Sequence, residues 1–337
     1  MTVRRKFLRN SILFGLGAPT LLRARPLFAQ SDSIDLARVK EWPTMKYTTL
    51  GRTNFKASRL VYGCGAALSR RKNDALLNVA FDAGINVYDV GTSRYYGSAE
   101  RNLADFVKEH RDDIFLISKS FLNASENEEP SVKRAKELAQ QWRKDMEQSL
   151  SQLKQENVDA YYTMDAKNPL IVKNEEIYRE FERAKQDGKV SYFGLSTHNR
   201  AAEVLAAAAE TDWYHLAMVA ITPAGWYDWN RKTVLPDSPP MVDLKSAFED
   251  AKKAGIALVG MKVARHLAPR MFGGKNVKSV YESHYSEKLK NAELSVFQQS
   301  YAYVLENGMD VVNSDIQNFD ILEENFLAAA TSGEYVD

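Results

Sequence analysis

Eight short apolar runs, each followed by a longer helical pattern, recur without interruption from residue 59 to residue 330. The runs are 59–63 (RLVYG), 86–90 (NVYDV), 114–118 (IFLIS), 158–163 (VDAYYT), 190–195 (VSYFGL), 216–221 (LAMVAI), 256–261 (IALVGM) and 309–313 (MDVVN). The helical patterns cover about 73–84, 98–110, 131–155, 174–187, 199–210, 243–254, 290–307 and 318–330. In the second of these, Ser98 can cap a helix whose Leu103, Phe106 and Val107 form one apolar face. Each helix returns the chain to the same edge, so the strands run parallel. Eight such units over roughly 290 residues are the count and size of a closed (β/α)8 TIM barrel. An open doubly wound sheet would favour a G-x-G-x-x-G turn after its first strand, whereas GCGAALSRR follows here. The α/β barrel is expected to open with a β-hairpin around Gly51, where MKYTTLGRTNFKASRL alternates apolar and polar residues.

Composition limits the partners. The chain is 45% hydrophobic and 26% charged, a globular balance. Six basic residues and no acids fall within residues 1–29, which leaves 39 basic against 44 acidic residues in the rest. A mildly acidic body offers no field for nucleic acid. Residues 1–29 read as an export signal: Arg4-Arg5-Lys6-Phe7-Leu8, the 11-residue apolar stretch 12–22, and Ala29 as a cleavage point. The paired arginines before Phe-Leu resemble a twin-arginine signal, and an ordinary secretory signal is the alternative. The expected partner is then the twin-arginine export machinery and the expected location the periplasm, with a membrane tether if the signal is not cleaved. Residues 30–44 are polar and read as a linker, followed by a single barrel over 45–337. The chain is expected to be a monomer. Cys64 is the single cysteine, reads as a small buried residue, and excludes an intramolecular disulfide. No His/Cys/Asp cluster has metal-ligand spacing.

Polar groups end several of the apolar runs. Asp89 ends the second and Lys119 the third, so neighbouring strand ends would bring them within ion-pair reach. Tyr96 follows in the next loop, just before Gly97, and a phenol whose pKa the lysine lowers can protonate a developing alkoxide. A salt bridge bracing the barrel top is the structural alternative. The fourth run ends in Met164. Long connections at 222–242 and 262–289 leave the carboxyl ends of strands, where barrel enzymes carry their sites. Trp226, Tyr227 and Trp229 would line a ligand wall or pack on the rim. The second loop carries Lys262, Arg265, Arg270, Lys275 and Lys278, which would cover a dinucleotide or lie in solvent.

These segments resemble the aldo-keto reductase family across residues 45–326. MKYTTLGRTNFKASRLVYG is similar to its entry hairpin and first strand, AFDAGINVYDVGTSRYYGSAE to its strand-two signature, and SLSQLKQENVDAYY to its fourth-strand segment. DGKVSYFGLSTH and LEENFLAA are similar to its nicotinamide-contacting segment and last helix. The resemblance implies a nicotinamide cofactor, NAD(P)H, and a small carbonyl or alcohol substrate. It implies Asp89 and Lys119 as the pair that tunes the phenol and Tyr96 as general acid. The family's Asp–Tyr spacing is two residues shorter, which makes Tyr95 a second candidate. Ser196 would bind the nicotinamide amide, with Thr197 where the family has asparagine, and Glu324 and Asn325 would meet the adenine.

Several positions depart from the family. Its histidine position falls on Met164, whose thioether has no acidic proton. His198, His215 and Asp165 are the replacement candidates, with His198 read as a surface or capping residue. The strand-six glutamine is absent. NSDIQNFDILEEN lacks the usual cation for a 2′-phosphate and adds Asp315 and Asp320, against a strict NADPH preference. The resemblance therefore implies an oxidoreductase. A barrel that binds a nucleotide or small ligand without turnover is the second reading, and an isomerase or lyase using Lys119, Asp89 and Asp165 the third.

Overall fold

The computed structural model describes residues 34–268 and 279–335. Residues 1–29, read above as an export signal, therefore lie outside the described residues, as do Arg270, Lys275 and Lys278. A short helix, α1 (Leu36–Val39), precedes the hairpin of β1 (Tyr47–Thr49) and β2 (Lys56–Ser58). The barrel then runs β3 (Leu60–Gly63), α2 (Asp74–Asp82), β4 (Val87–Asp89), α3 (Ser93–Tyr96), α4 (Ala99–His110), β5 (Phe115–Phe121) and α5 (Val132–Leu153). It continues through β6 (Val158–Met164), α6 (Pro169–Val172), α7 (Glu175–Gln186), β7 (Val190–Thr197), α8 (Ala201–Thr211) and β8 (Leu216–Thr222). After a hairpin of β9 (Gly225–Asp228) and β10 (Thr233–Val234) come α9 (Lys245–Lys253) and β11 (Ala257–Met261). The chain ends with α10 (Ser279–Glu282), α11 (Glu287–Lys290), α12 (Val296–Glu306), β12 (Val311–Asp315) and α13 (Phe319–Ala330).

Eight parallel strands close the ring in the order β3-β4-β5-β6-β7-β8-β11-β12, with β12 pairing back onto β3. Side-chain alternation sends every second residue inward. Val87, Phe115, Ile117, Tyr162, Val259 and Val311 thereby fill the barrel interior. The odd-numbered and even-numbered partners on the other face meet the helices in a second, larger cluster. The entry hairpin plugs the amino end: Leu50 and Ala57 join the interior cluster, and Arg52 N donates to Gly255 O at 3.1 Å. Only the carboxyl end is left to carry a site.

Local chemistry sets the element ends. Ser131 caps α5, its hydroxyl accepting from Arg134 N at 3.3 Å, and left-handed Lys154 (φ 54°) stops it. The helical pattern at 290–307 splits, because Ser295 and Gln298 form a capping box that starts α12 afresh.

The stretch read as a polar linker does not stand clear of the barrel. Trp42 lies against Phe319 and Phe326 of α13, with ring centroids 5.8 and 4.6 Å away, and its Nε1 donates to Glu323 at 3.1 Å. Arg38 of α1 pairs with the same buried Glu323. One tryptophan decides the matter, since composition averaged over the segment conceals it. Burying a large apolar side chain contributes about 1.5–3 kcal/mol. Trp42→Ala should therefore lower the stability of the full chain by about 2 kcal/mol in urea unfolding, whereas a free linker would show no change.

Candidate active site

The inward alternation that builds the core also builds the site. On β4 it runs Val87 to Asp89, on β5 Phe115, Ile117, Lys119, and on β12 Val311 to Asn313. On each strand a polar residue thus follows the apolar interior positions toward the carboxyl rim. Lys119 donates to Asp89 Oδ1 and, at 2.5 Å, to Val90 O. Asn313 Nδ2 donates to Asp89 Oδ2 at 2.7 Å. Both carboxylate oxygens are taken, and Asp89 and Lys119 are 6% and 3% exposed. Burial holds the Asp89 carboxyl above the ordinary aspartate range, against the pull of Lys119 and Asn313.

Tyr96 ends the single turn α3, which Thr92 caps and Gly97 terminates at φ +59°. Its ring is clasped by two glycines: a Cβ on Gly65 would fall 2.6 Å from Cε1, and one on Gly91 3.1 Å from Cε2. The phenol is half-buried and makes no hydrogen bond among the described residues. Tyr95, 54% exposed, instead lies edge-on to Tyr96 and stacks at 6.2 Å on Phe121. Lys119 does not lower the phenol's pKa here. Burial pushes it above the ordinary tyrosine value, and the Asp89 charge, which also cancels the lysine's field, pushes the same way.

Met164 continues the inward run of β6 after Ala160 and Tyr162. It is 4% exposed and borders a cavity of about 20 Å³, with Leu122, Ala124 and Ile171 among its lining. That volume suits one water molecule. The next residue, Asp165, takes a left-handed φ of 55° and meets His198 Nδ1 at 3.6 Å and Lys167 Nζ at 3.5 Å. His198 is not a surface residue: its side chain is 15% exposed, and burial lowers its pKa, which keeps it neutral at pH 7. His215 is excluded, because it precedes β8 at the amino end, accepting from Phe193 N at 3.3 Å, where burial pushes it down to about 4.

The proposed cofactor contacts divide. Ser196 points inward on β7, buried, and its hydroxyl makes no hydrogen bond among the described residues. Thr197 falls on the opposite parity and donates to Asn199 O at 2.7 Å. Glu324 accepts from Ser295 at 2.5 Å, and Asn325 donates to Ser314 at 2.6 Å, so both are held against α12 and the end of β12. Asp315 accepts from Ala67 N and Gln317, each at 2.7 Å.

The aromatic loop serves three purposes. Trp226 packs against Phe248 of α9, and Tyr227 enters the barrel interior. Trp229 stands at the mouth, its ring 5.8 Å from His198 and 4.3 Å from Lys262 Nζ. Asn313, Arg38 and Trp42 were not anticipated as contributors. Counting two residues on from Val311 would have found Asn313.

Comparison with known proteins agrees with this fold. The aldo/keto reductase family model matches residues 50–232, more than half of the chain. Two relatives from Bacillus subtilis (strain 168) are uncharacterized oxidoreductases. YqkF is 29% identical over 161 residues (45% of this chain, 49% of YqkF), and YrpG 28% over 165 residues (45% and 49%). The chain spans about half the length of these curated relatives. Among solved structures, PA4992 of Pseudomonas aeruginosa, assigned as an aldo-keto reductase, superposes with TM-score 0.58 at 20% identity, covering 86% of this chain and 97% of that one. The thermostable aldo-keto reductase Tm1743, solved with the inhibitor epalrestat, gives 0.59 at 19% identity, covering 84% and 94%. These structures share the fold, and the family model, spanning the entry loop through β9 with Asp89, Tyr96 and Lys119 inside it, shows that the chain belongs to the aldo/keto reductase family.

Proposed function

We propose that the protein is an NAD(P)H-dependent oxidoreductase acting on a small carbonyl compound, or on an alcohol in reverse, with Tyr96 as proton donor. The observation that carries this reading is the buried Asp89–Lys119–Asn313 cluster beside a glycine-clasped tyrosine. The residues suit a nicotinamide dinucleotide at its reactive end: Ser196 offers a buried, unengaged hydroxyl at the rim. Ser196 would hold the amide, and Glu324 and Asn325 the adenine after exchanging their present partners. When bound, the nicotinamide supplies the hydride. Tyr96 stays protonated at neutral pH, because burial raises its pKa, and gives its proton to the carbonyl oxygen as that oxygen gains charge. Solvent restores the proton, since the phenol is only half-buried. The cluster fixes the strand ends on which the substrate rests. Met164 offers no acidic proton, and His198, whose pKa burial lowers, is braced by the adjacent Asp165.

Binding without turnover is the second reading, and Met164 favours it. Titrating the full chain with NADH and NADPH while following nicotinamide fluorescence separates the two. Saturation below 1 mM with either, and oxidation on adding aldehydes, ketones or enones, is expected for the oxidoreductase. NADH should bind within roughly tenfold of NADPH, because Asp315 and Asp320 disfavour a further phosphate nearby. Saturation without oxidation supports the second reading, and no saturation overturns the oxidoreductase reading. Export through residues 1–29 is part of the proposal; nucleotide bound to protein recovered from the periplasm would support it.

A further inference from the structure

Three cations gather around one indole at the mouth. Lys232 Nζ, Lys262 Nζ and Arg265 Cζ lie 2.8, 4.3 and 5.5 Å from the ring centroid of Trp229. Two loops bring them together, the β9–β10 hairpin and the turn after β11. Among the described residues, none of the three has a carboxylate within ion-pair distance. Asp228, the nearest acid on the hairpin, is engaged by Asn230 N and Arg231 N at 2.8 and 3.0 Å. Asp315 is engaged by Ala67 and Gln317. Two buried polar atoms beside the cluster also lack hydrogen-bond partners, Arg265 Nε and Tyr227 Oη.

Like charges brought together repel, the carboxylates of Asp315 and Asp228 act on Lys262 and Lys232 only from beyond contact, and buried donors without acceptors are costly. Cation–π attraction to Trp229 offsets only part of that cost. Lys262 registers the imbalance: burial, then Arg265, pushes its ammonium down to about 8. Its backbone is held at φ +64°, a left-handed conformation unusual for a lysine. Alternation would send the residue after inward-facing Met261 outward, yet its side chain is directed to Trp229 at the mouth. An oxyanion among the three cations would neutralise them and accept from Arg265 and Tyr227 together.

We propose that Lys232, Lys262 and Arg265, arrayed on Trp229, form an oxyanion-binding site at the barrel mouth that anchors a phosphate or carboxylate group of a ligand reaching into the cup. The site deepens the oxidoreductase reading by requiring that either the dinucleotide or the substrate be anchored there by its negative charge. It stands or falls on anion binding, which needs no turnover.

The test is calorimetric titration of the full chain with sodium pyrophosphate and, separately, with sodium benzoate, at constant ionic strength set by sodium chloride. At least one anion should bind with millimolar or better affinity, and Lys262→Gln and Arg265→Gln should each weaken it tenfold or more. Circular dichroism of each variant checks that it is folded. Competition between pyrophosphate and NADPH identifies the dinucleotide's phosphates as the source, and benzoate binding alongside saturating NADPH identifies a substrate carboxylate. The proposal is overturned if neither anion binds more tightly than chloride, or if folded variants bind as wild type does. Failure to bind NADH or NADPH, with anion binding intact, would sink the oxidoreductase reading and leave this site standing.

Discussion

Tyr96→Phe is expected to lower the rate of carbonyl reduction by about 10²–10⁴-fold while leaving dinucleotide binding and fold intact. The substitution removes one oxygen. The ring keeps its seat between Gly65 and Gly91, where space fits an aromatic face and little else. No hydrogen bond inside the protein is lost, because the phenol makes none among the described residues. A large effect therefore reports a role in the reaction and not a structural one. Tyr95→Phe is the internal control: its side chain points away, half-exposed and stacked on Phe121, and should change the rate by less than about threefold. Single-turnover decay of nicotinamide absorbance reads both. A Tyr96→Phe protein that reduces substrate at the wild-type rate would transfer the donor's role to another group, with His198 next to be tested.

The barrel was legible from periodicity because it is a repeated, locally encoded pattern: eight apolar runs of strand length, each with a helix to return the chain. Asp89 and Lys119 were legible for the same reason, since each prolongs the inward alternation of its own strand by one step. Asn313 obeys the identical rule, but its partner Asp89 lies 224 residues away, and nothing local marks an asparagine as part of a carboxylate cradle. His198 was misjudged because burial depends on what folds over a residue. Here that cover is Trp229, delivered by a hairpin that the sequence presents only as a long aromatic loop. The phenol's direction of shift was also beyond the sequence. Lysine alone would lower it. Lysine already saturated by Asp89, inside a half-buried pocket, cannot.

Breaking the Asp89–Lys119 pair should cost more stability than any other single polar change in the barrel, and its two halves should differ. Asp89→Ala leaves Lys119, 3% exposed, with Val90 O as its remaining partner. Stranding a buried charge costs about 3–5 kcal/mol, enough to unfold a large part of a protein of ordinary stability. Lys119→Met strands Asp89 instead, and a stranded carboxyl can shed its charge by binding a proton. Burial already raises Asp89, and losing Lys119 removes the largest opposing influence. The folded-state pKa of Asp89 in Lys119→Met therefore lies still further above its unfolded value. A carboxyl raised in the folded state contributes most stability below its unfolded pKa and loses it as pH climbs through the folded pKa. Lys119→Met should thus become relatively more stable as pH falls from 8 toward 5, while Asp89→Ala should not. Urea unfolding at both pH values measures this. The paired variant Asp89→Ala with Lys119→Met should recover much of the loss, because it leaves no buried charge, and a double variant no better than the sum of its parts would show that the pair is not coupled.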